Sequence, residues 1–276
     1  MFPKTPKIED LILEILSNGP QQATTLIEQI KEKRPKTTKQ SVYKSLRNLK
    51  KDEIIVQTRG HVALSGVWLK KLAAFTEKTK YNYQTENNPS IDFIGLEQGE
   101  KISYTFKTFE ATDMFWAHTF SVLSDTTPQS SPIFLYNPHE WFLLARPESE
   151  VFLFEGLKKI ERKLFVIAGH RDPLDLYVEK YFDQKTINYF ASPTTLFPKS
   201  NYYVNILGDF LIEAWLDPEV SEQINLFYKN TKIFDEQVKN KLLKIVQQNG
   251  KNKLTITRNK RKADTIRRLF GKMFIL

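Results

Sequence analysis

Residues 37–64, TTKQSVYKSLRNLKKDEIIVQTRGHVAL, constrain the fold more tightly than any other stretch of the chain. At 100° per residue, Val42, Leu46 and Leu49 fall in one narrow stripe. Gln40, Lys44, Arg47 and Lys51 fall in the opposite stripe, with Tyr43 at its flank. Such a helix buries one side in a small bundle and turns cations and an amide outward. Thr37 or Thr38 supplies the cap, a hydroxyl accepting a free N–H of the first turn. Ile54-Ile55-Val56 then begins a strand, Arg59-Gly60 suits a two-residue turn, and Val62-Ala63-Leu64 returns.

The preceding residues predict two more helices. Ile8, Leu11, Ile12, Ile15 and Leu16 repeat at helical spacing, and Gly19-Pro20 ends that run. Thr24 or Thr25 is expected to cap the second helix, with Leu26, Ile27 and Ile30 facing inward. Arg34-Pro35-Lys36 breaks it, because proline lacks an N–H and restricts the residue before it. The order helix, helix, helix, hairpin over residues 1–65 resembles a winged helix-turn-helix domain. That resemblance covers about a quarter of the chain and rests on element order and length. It implies that the third helix enters the major groove of double-stranded DNA and that the hairpin touches backbone or minor groove. Lys39, Gln40, Tyr43, Lys44, Arg47 and Lys51 then face the groove, and Arg59 and His61 form the wing tip.

Charge agrees with contact through the ends of the chain. The net charge is +9, unevenly spread. Residues 1–84 hold 16 Lys and Arg against 8 Asp and Glu, residues 85–250 hold 16 against 23, and residues 251–276 hold 9 against 1. Basic ends flanking an acidic middle fit polyanion contact from the ends only. With 41% hydrophobic residues the chain can bury a substantial core. No apolar run approaches the ~20 residues of a membrane span, and no signal-peptide pattern opens the sequence. The absence of cysteine excludes disulfides and thiolate zinc sites and fits a cytoplasmic protein.

Residues 66–90 predict a linker. Trp68, Leu69, Leu72 and Phe75 make an apolar helical stripe, with Lys70, Lys71, Lys78 and Lys80 off it. That stripe suits either a homodimer contact or packing within its own domain. The polar NYQTENNPS (82–90) closes the linker. From 91 to 276 strands and helices alternate: Ile102, Tyr104 and Phe106 in a half-buried strand; a helix over 112–123 with Thr112 as cap; PIFLY (132–136) pairing with WFLLA (141–145); a helix over 148–162; the apolar strand 164–168; a helix from Pro173 to Asp183; INYFA (187–191); a hairpin around Gly208-Asp209; helices 218–229 and 234–248; LTITR (254–258); and a basic helix from Lys260, capped by Asn259. The class is multidomain α/β: a winged helix followed by an α/β sandwich with a mixed sheet.

Chemistry-bearing motifs are few. Gly169-His170-Arg171-Asp172-Pro173 follows a buried strand and precedes a helix, the place where α/β sheets bind ligands and helix N-termini favour anions. Gly169, His170 and Arg171 are the candidate set for a small anionic ligand, against an ordinary turn in which Asp172 caps the helix. The letters His-Arg-Asp match part of a kinase catalytic loop, but no glycine-rich loop, Val-Ala-Ile-Lys strand or Asp-Phe-Gly accompanies them. Asn137-Pro138-His139-Glu140-Trp141 is a second polar cluster, whose His139 and Glu140 suit acid–base or metal roles; against that stands a structural turn, the favoured reading. The four histidines (61, 118, 139, 170) show no metal-ligand spacing, so neither a metal nor a cofactor is expected.

The whole arrangement loosely resembles TrmB-like regulators, whose C-terminal domain is related to phospholipase D without its activity. Phospholipase D chemistry needs His-x-Lys with a following Asp, and no histidine here has lysine two positions later. The resemblance therefore implies a non-catalytic, dimeric, DNA-binding transcription regulator. The alternatives are a nucleic-acid-processing or defence-system protein, for example antitoxin-like, and a module for protein or RNA assembly. The basic tail fits either a second nucleic-acid contact or an ion-pairing face against the acidic middle.

Overall fold

The computed structural model describes residues 6–84 and 89–274. The chain divides into two compact units, Met1–Thr85 and Glu86–Leu276. In the first, α1 (Ile8–Leu16), α2 (Ala23–Lys33) and α3 (Lys39–Lys51) precede the hairpin β2 (Ile55–Thr58) and β3 (His61–Leu64). The predicted stripes meet in one core: Leu11, Ile12, Ile15 and Leu16 of α1; Leu26, Ile27 and Ile30 of α2; Val42, Leu46 and Leu49 of α3; and Ile55 and Val62 of the hairpin. Thr38 caps α3, its hydroxyl accepting from Ser41 N at 3.2 Å. Two details differ from expectation. A two-residue strand β1 (Gln21–Gln22) pairs antiparallel with β3, too short to show a period. Also, α2 begins before Thr24 and Thr25, because Ala23 N donates to the Gly60 carbonyl of the hairpin at 2.9 Å.

The helix α4 (Gly66–Gln84) continues through residues expected to be linker. Residues 85–88 of that linker lie outside the described residues, and Pro89–Gly95 forms a 3-10 helix.

The second unit is mixed α/β, as the alternation of apolar strands and helices predicts. Its strands are β4 (Lys101–Phe106), β5 (Ile133–Asn137), β6 (Leu164–Ala168), β7 (Ile187–Ala191), β8 (Tyr202–Leu207), β9 (Phe210–Trp215) and β10 (Asn252–Arg258). They form one sheet in the order β4-β10-β9-β8-β5-β6-β7. β5, β6 and β7 are parallel; every other pairing is antiparallel. Every residue of β5, β6 and β8 is buried, as strands covered on both faces must be.

One face carries the larger core, with Phe109, Leu123, Phe154, Leu157, Ile224 and Leu242 supplied by α5 (Phe109–Thr126), α7 (Pro147–Lys159), α9 (Pro218–Asn230) and α10 (Glu236–Val246). The other is covered by α11 (Lys260–Gly271) through Ala263, Ile266 and Phe270. Asn259 caps α11, accepting from Lys262 N at 2.9 Å. Arg162, fully buried just before β6, donates to the Ser131 and Ser124 carbonyls and to Thr127 Oγ1, which closes the carboxyl end of α5.

Three local expectations are corrected. WFLLA does not pair with PIFLY: Phe142–Ala145 is a short helix, α6, and β5 pairs with β6 and β8 instead. The cap of α5 is Thr108, accepting from Ala111 N, and Thr112 lies inside the helix. The predicted helix 173–183 is α8 (Pro173–Tyr177) followed by a 3-10 turn at Val178–Tyr181.

Gly169 ends β6, where its N–H donates to the Asn137 carbonyl at 2.7 Å. A Cβ there would collide with the Tyr136 hydroxyl and stand 3.3 Å from Pro138 Cα. Gly169→Ala is therefore expected to lower stability by ~1–3 kcal/mol through overpacking. Urea unfolding checks this, and an unchanged midpoint would remove the close approach as its cause.

Candidate functional site

The first unit presents a basic surface built on α3. Val42, Ser45, Leu46 and Leu49 are buried, which turns Lys39, Gln40, Tyr43, Lys44, Arg47 and Lys51 outward, all of them exposed. Ser45 Oγ donates to Glu9 Oε1 at 2.7 Å and fixes the rotation of α3 against α1. None of the α3 cations has a carboxylate partner among the described residues. At the hairpin tip Arg59 (φ 51°) and Gly60 (φ 82°) both have positive φ between the paired Thr58 and His61. That is the two-residue primed turn whose twist matches the strands. Arg59 and His61 are exposed there. Every residue expected at a nucleic-acid interface from the sequence thus lies at the surface of this unit.

The second unit contains a polar cleft that sequence spacing concealed. Residues 137–141 and 169–172 leave the carboxyl ends of two adjacent parallel strands, β5 and β6. The two polar clusters, 31 residues apart, therefore converge. His139 and His170 stack at 4.5 Å between ring centroids, and Tyr228 stacks on His139 at 4.2 Å. His139 is 1% exposed. Its Nδ1 lies 3.0 Å from Asp175 Oδ2. The same carboxylate accepts from Glu140 N and Asp172 N, each at 3.3 Å. Among the described residues His170 Nε2 is buried without a hydrogen-bond partner. Burial, then the neighbouring His139, lowers the His170 pKa. The cleft, about 470 Å³, is also lined by Phe197, Ser200, Glu222, Asn225 and Lys229.

Of the anion candidates, Gly169 is buried at the strand end and His170 lines the cleft. Arg171 is exposed and is not among the lining residues. The helix behind Asp172 has only five residues, so the long-helix field assumed for an anion is missing. Asp175 escaped the sequence reading, although its spacing of three from Asp172 is a capping signal.

No protein-family model matches this chain, and no curated protein matches it. Solved structures with a distant likeness to it include the following two. One is TrmBL2, described as an archaeal chromatin protein with a novel mode of DNA binding, at 10% identity over 97% of this chain and 91% of that chain, with a TM-score of 0.34. The other is the polyphosphate kinase of Porphyromonas gingivalis, at 11% identity over 70% of this chain and 28% of the enzyme, with a TM-score of 0.36. Likenesses this distant carry no argument about function.

Behind the cleft lies a set of buried acids. Glu140 accepts from Asn137 Nδ2 at 2.7 Å, and Asp113 pairs with Arg146. Burial pushes the Glu140 carboxyl up to about 8. Burial likewise raises Asp113 to about 7, against the pull of the Arg146 guanidinium, and holds Glu150 well above the usual carboxylate range. The folded chain keeps these protons where the unfolded chain, with ordinary values of 3.8 and 4.5, releases them. Their stabilising contribution is full below about pH 4 and is lost as pH rises through about 7 to 8. Thermal unfolding is expected to fall by several degrees between pH 6 and pH 8.5. Glu140→Gln should flatten that slope, and an equal slope in wild type and variant would refute the assignment.

Proposed function

We propose that this chain is a sequence-specific, double-stranded DNA-binding transcription regulator: a winged helix-turn-helix joined to a non-catalytic α/β effector domain. One observation carries the reading. The cations of α3 stand outward, unpaired by carboxylates among the described residues, beside a primed hairpin turn that exposes Arg59. Affinity then comes mainly from phosphate neutralisation and specificity from side chains of α3 that reach base edges. The effector domain is read as non-hydrolytic because neither cleft histidine has lysine two positions on. The His139–Asp175 pair in an open cleft is what favours a nucleic-acid-processing enzyme instead. Phosphodiester turnover by the purified chain, abolished by His170→Ala, would establish that second reading.

Arg47→Ala and Lys44→Ala are expected to weaken operator binding, by ~1–3 kcal/mol where the side chain reads a base edge. Arg59→Ala should weaken all sequences about equally and lower the salt slope by about one phosphate. Fluorescence anisotropy at several salt concentrations measures both. Unchanged binding in the two α3 variants would sink the docking of α3 in the groove.

We further propose that α4 pairs two copies of the chain, because a single reader spans one half-site and a two-fold pair spans two. Val67 (60%), Phe75 (64%) and Tyr81 (70%) leave much of its apolar surface exposed. Sedimentation at micromolar concentration should show a dimer that Phe75→Gln shifts toward monomer. A monodisperse monomer both free and on a half-site would exclude it.

A further inference from the structure

We propose that His139, His170 and Asp172 form an open site for a divalent transition-metal ion of the zinc, cobalt or nickel class. One ligand atom from each of the three lies within 4.8 Å of the others. His139 is oriented from behind: Asp175 Oδ2 engages Nδ1 at 3.0 Å, which leaves Nε2 as the nitrogen free to ligate. A carboxylate holding the second nitrogen of a metal-binding imidazole is the usual outer-shell arrangement. Tyr228 stacks on the His139 ring and fixes its plane.

The second argument is a polar group with nothing to do. Among the described residues His170 Nε2 is buried and unpartnered, whereas a buried ring nitrogen ordinarily has a protein, water or ion partner. Two imidazoles and one carboxylate suit zinc-class ions better than calcium or magnesium, which prefer all-oxygen shells. Three protein ligands facing a cleft leave a coordination position open. Bonds of about 2.0–2.1 Å bring ligand atoms on one ion to roughly 3.3 Å of each other, so the set must close. His139 is buried and braced, whereas His170 and Asp172 are half-exposed; closing the set requires His170 to tilt out of its stack on His139 and Asp172 to release its contact with the helix it caps. Lys229 opposes a cation at the cleft and Glu222 offsets it; both are exposed.

The site stands on these three residues alone. Only its role rests on the proposed function: there, the bound ion is the effector of the C-terminal domain. The test uses the tag-free chain, titrated with Co²⁺ and followed by visible d–d absorption, and with Zn²⁺ by calorimetry. One equivalent per chain is expected. His170→Ala and Asp172→Asn, with unchanged circular dichroism, should each bind at least about tenfold more weakly, and Asp175→Asn about 10–100-fold. No saturable uptake by the wild type, or equal uptake by the His170→Ala, Asp172→Asn double variant, overturns the site. DNA binding measured on the same samples separates the two readings. Saturable cobalt uptake at this site without DNA binding upholds the site while the regulator reading fails, and DNA binding without metal uptake does the reverse.

Discussion

The Asp175 carboxylate is the interaction on which the cleft depends. It is fully buried, an expensive place for a charge unless donors surround it. Three do: the His139 ring and the N–H groups of Glu140 and Asp172. They come from the loop after β5 and the loop after β6, so one side chain ties the ends of two parallel strands together. Burial raises the Asp175 pKa and the His139 contacts oppose the rise. The Asp175 carbonyl in turn accepts from the Tyr189 hydroxyl at 2.9 Å, which brings β7 into the same network. Without this carboxylate, His139 would lose the partner that selects its free nitrogen.

The position of the cleft follows from the sheet. Strands β5, β6 and β7 run in one direction, so the loops leaving them, at 137–141, 169–172 and 192–201, emerge along one edge. His139, His170 and Phe197 come from those three loops in turn and line one cavity. On the other side of β5 the sheet turns antiparallel, and β8 begins at the edge where β5 ends.

Much of the first unit was legible because its signals are local. The stripe Val42, Leu46, Leu49, the cap at Thr38 and the Arg59-Gly60 turn each depend on residues a few positions apart. The second unit yielded most strands and helices but not their neighbours. WFLLA is apolar enough for either state, and periodicity cannot separate a short buried helix from a short buried strand. Reading it as the partner of PIFLY concealed the parallel pairing of β5 with β6, and with it the meeting of His139 and His170. Candidate ligands one crossover apart carry no spacing motif. Asp175 was legible as part of a cap and illegible as the anchor of an imidazole.

Charge counts from the sequence also need the structure to become contacts. Helices α3 and α11 are both strongly basic, yet their cations are not equally available. Lys262 of α11 donates to Glu213 at 2.7 Å, and Arg267 pairs with Asp264 and donates to the Gly208 carbonyl. Those two cations are occupied within the domain, Lys262 by a carboxylate of the acidic middle and Arg267 by the tail's own Asp264. Lys260, Arg261, Arg268 and Lys272 remain exposed. A cation already paired must break that pair before it neutralises a phosphate, whereas a free one releases counterions at once. The α3 cations lack carboxylate partners among the described residues, so an equal number of cations in the two helices does not mean equal affinity for a polyanion. If the chain binds a duplex as proposed, the N-terminal unit, and not the basic tail, is on that ground where it engages first.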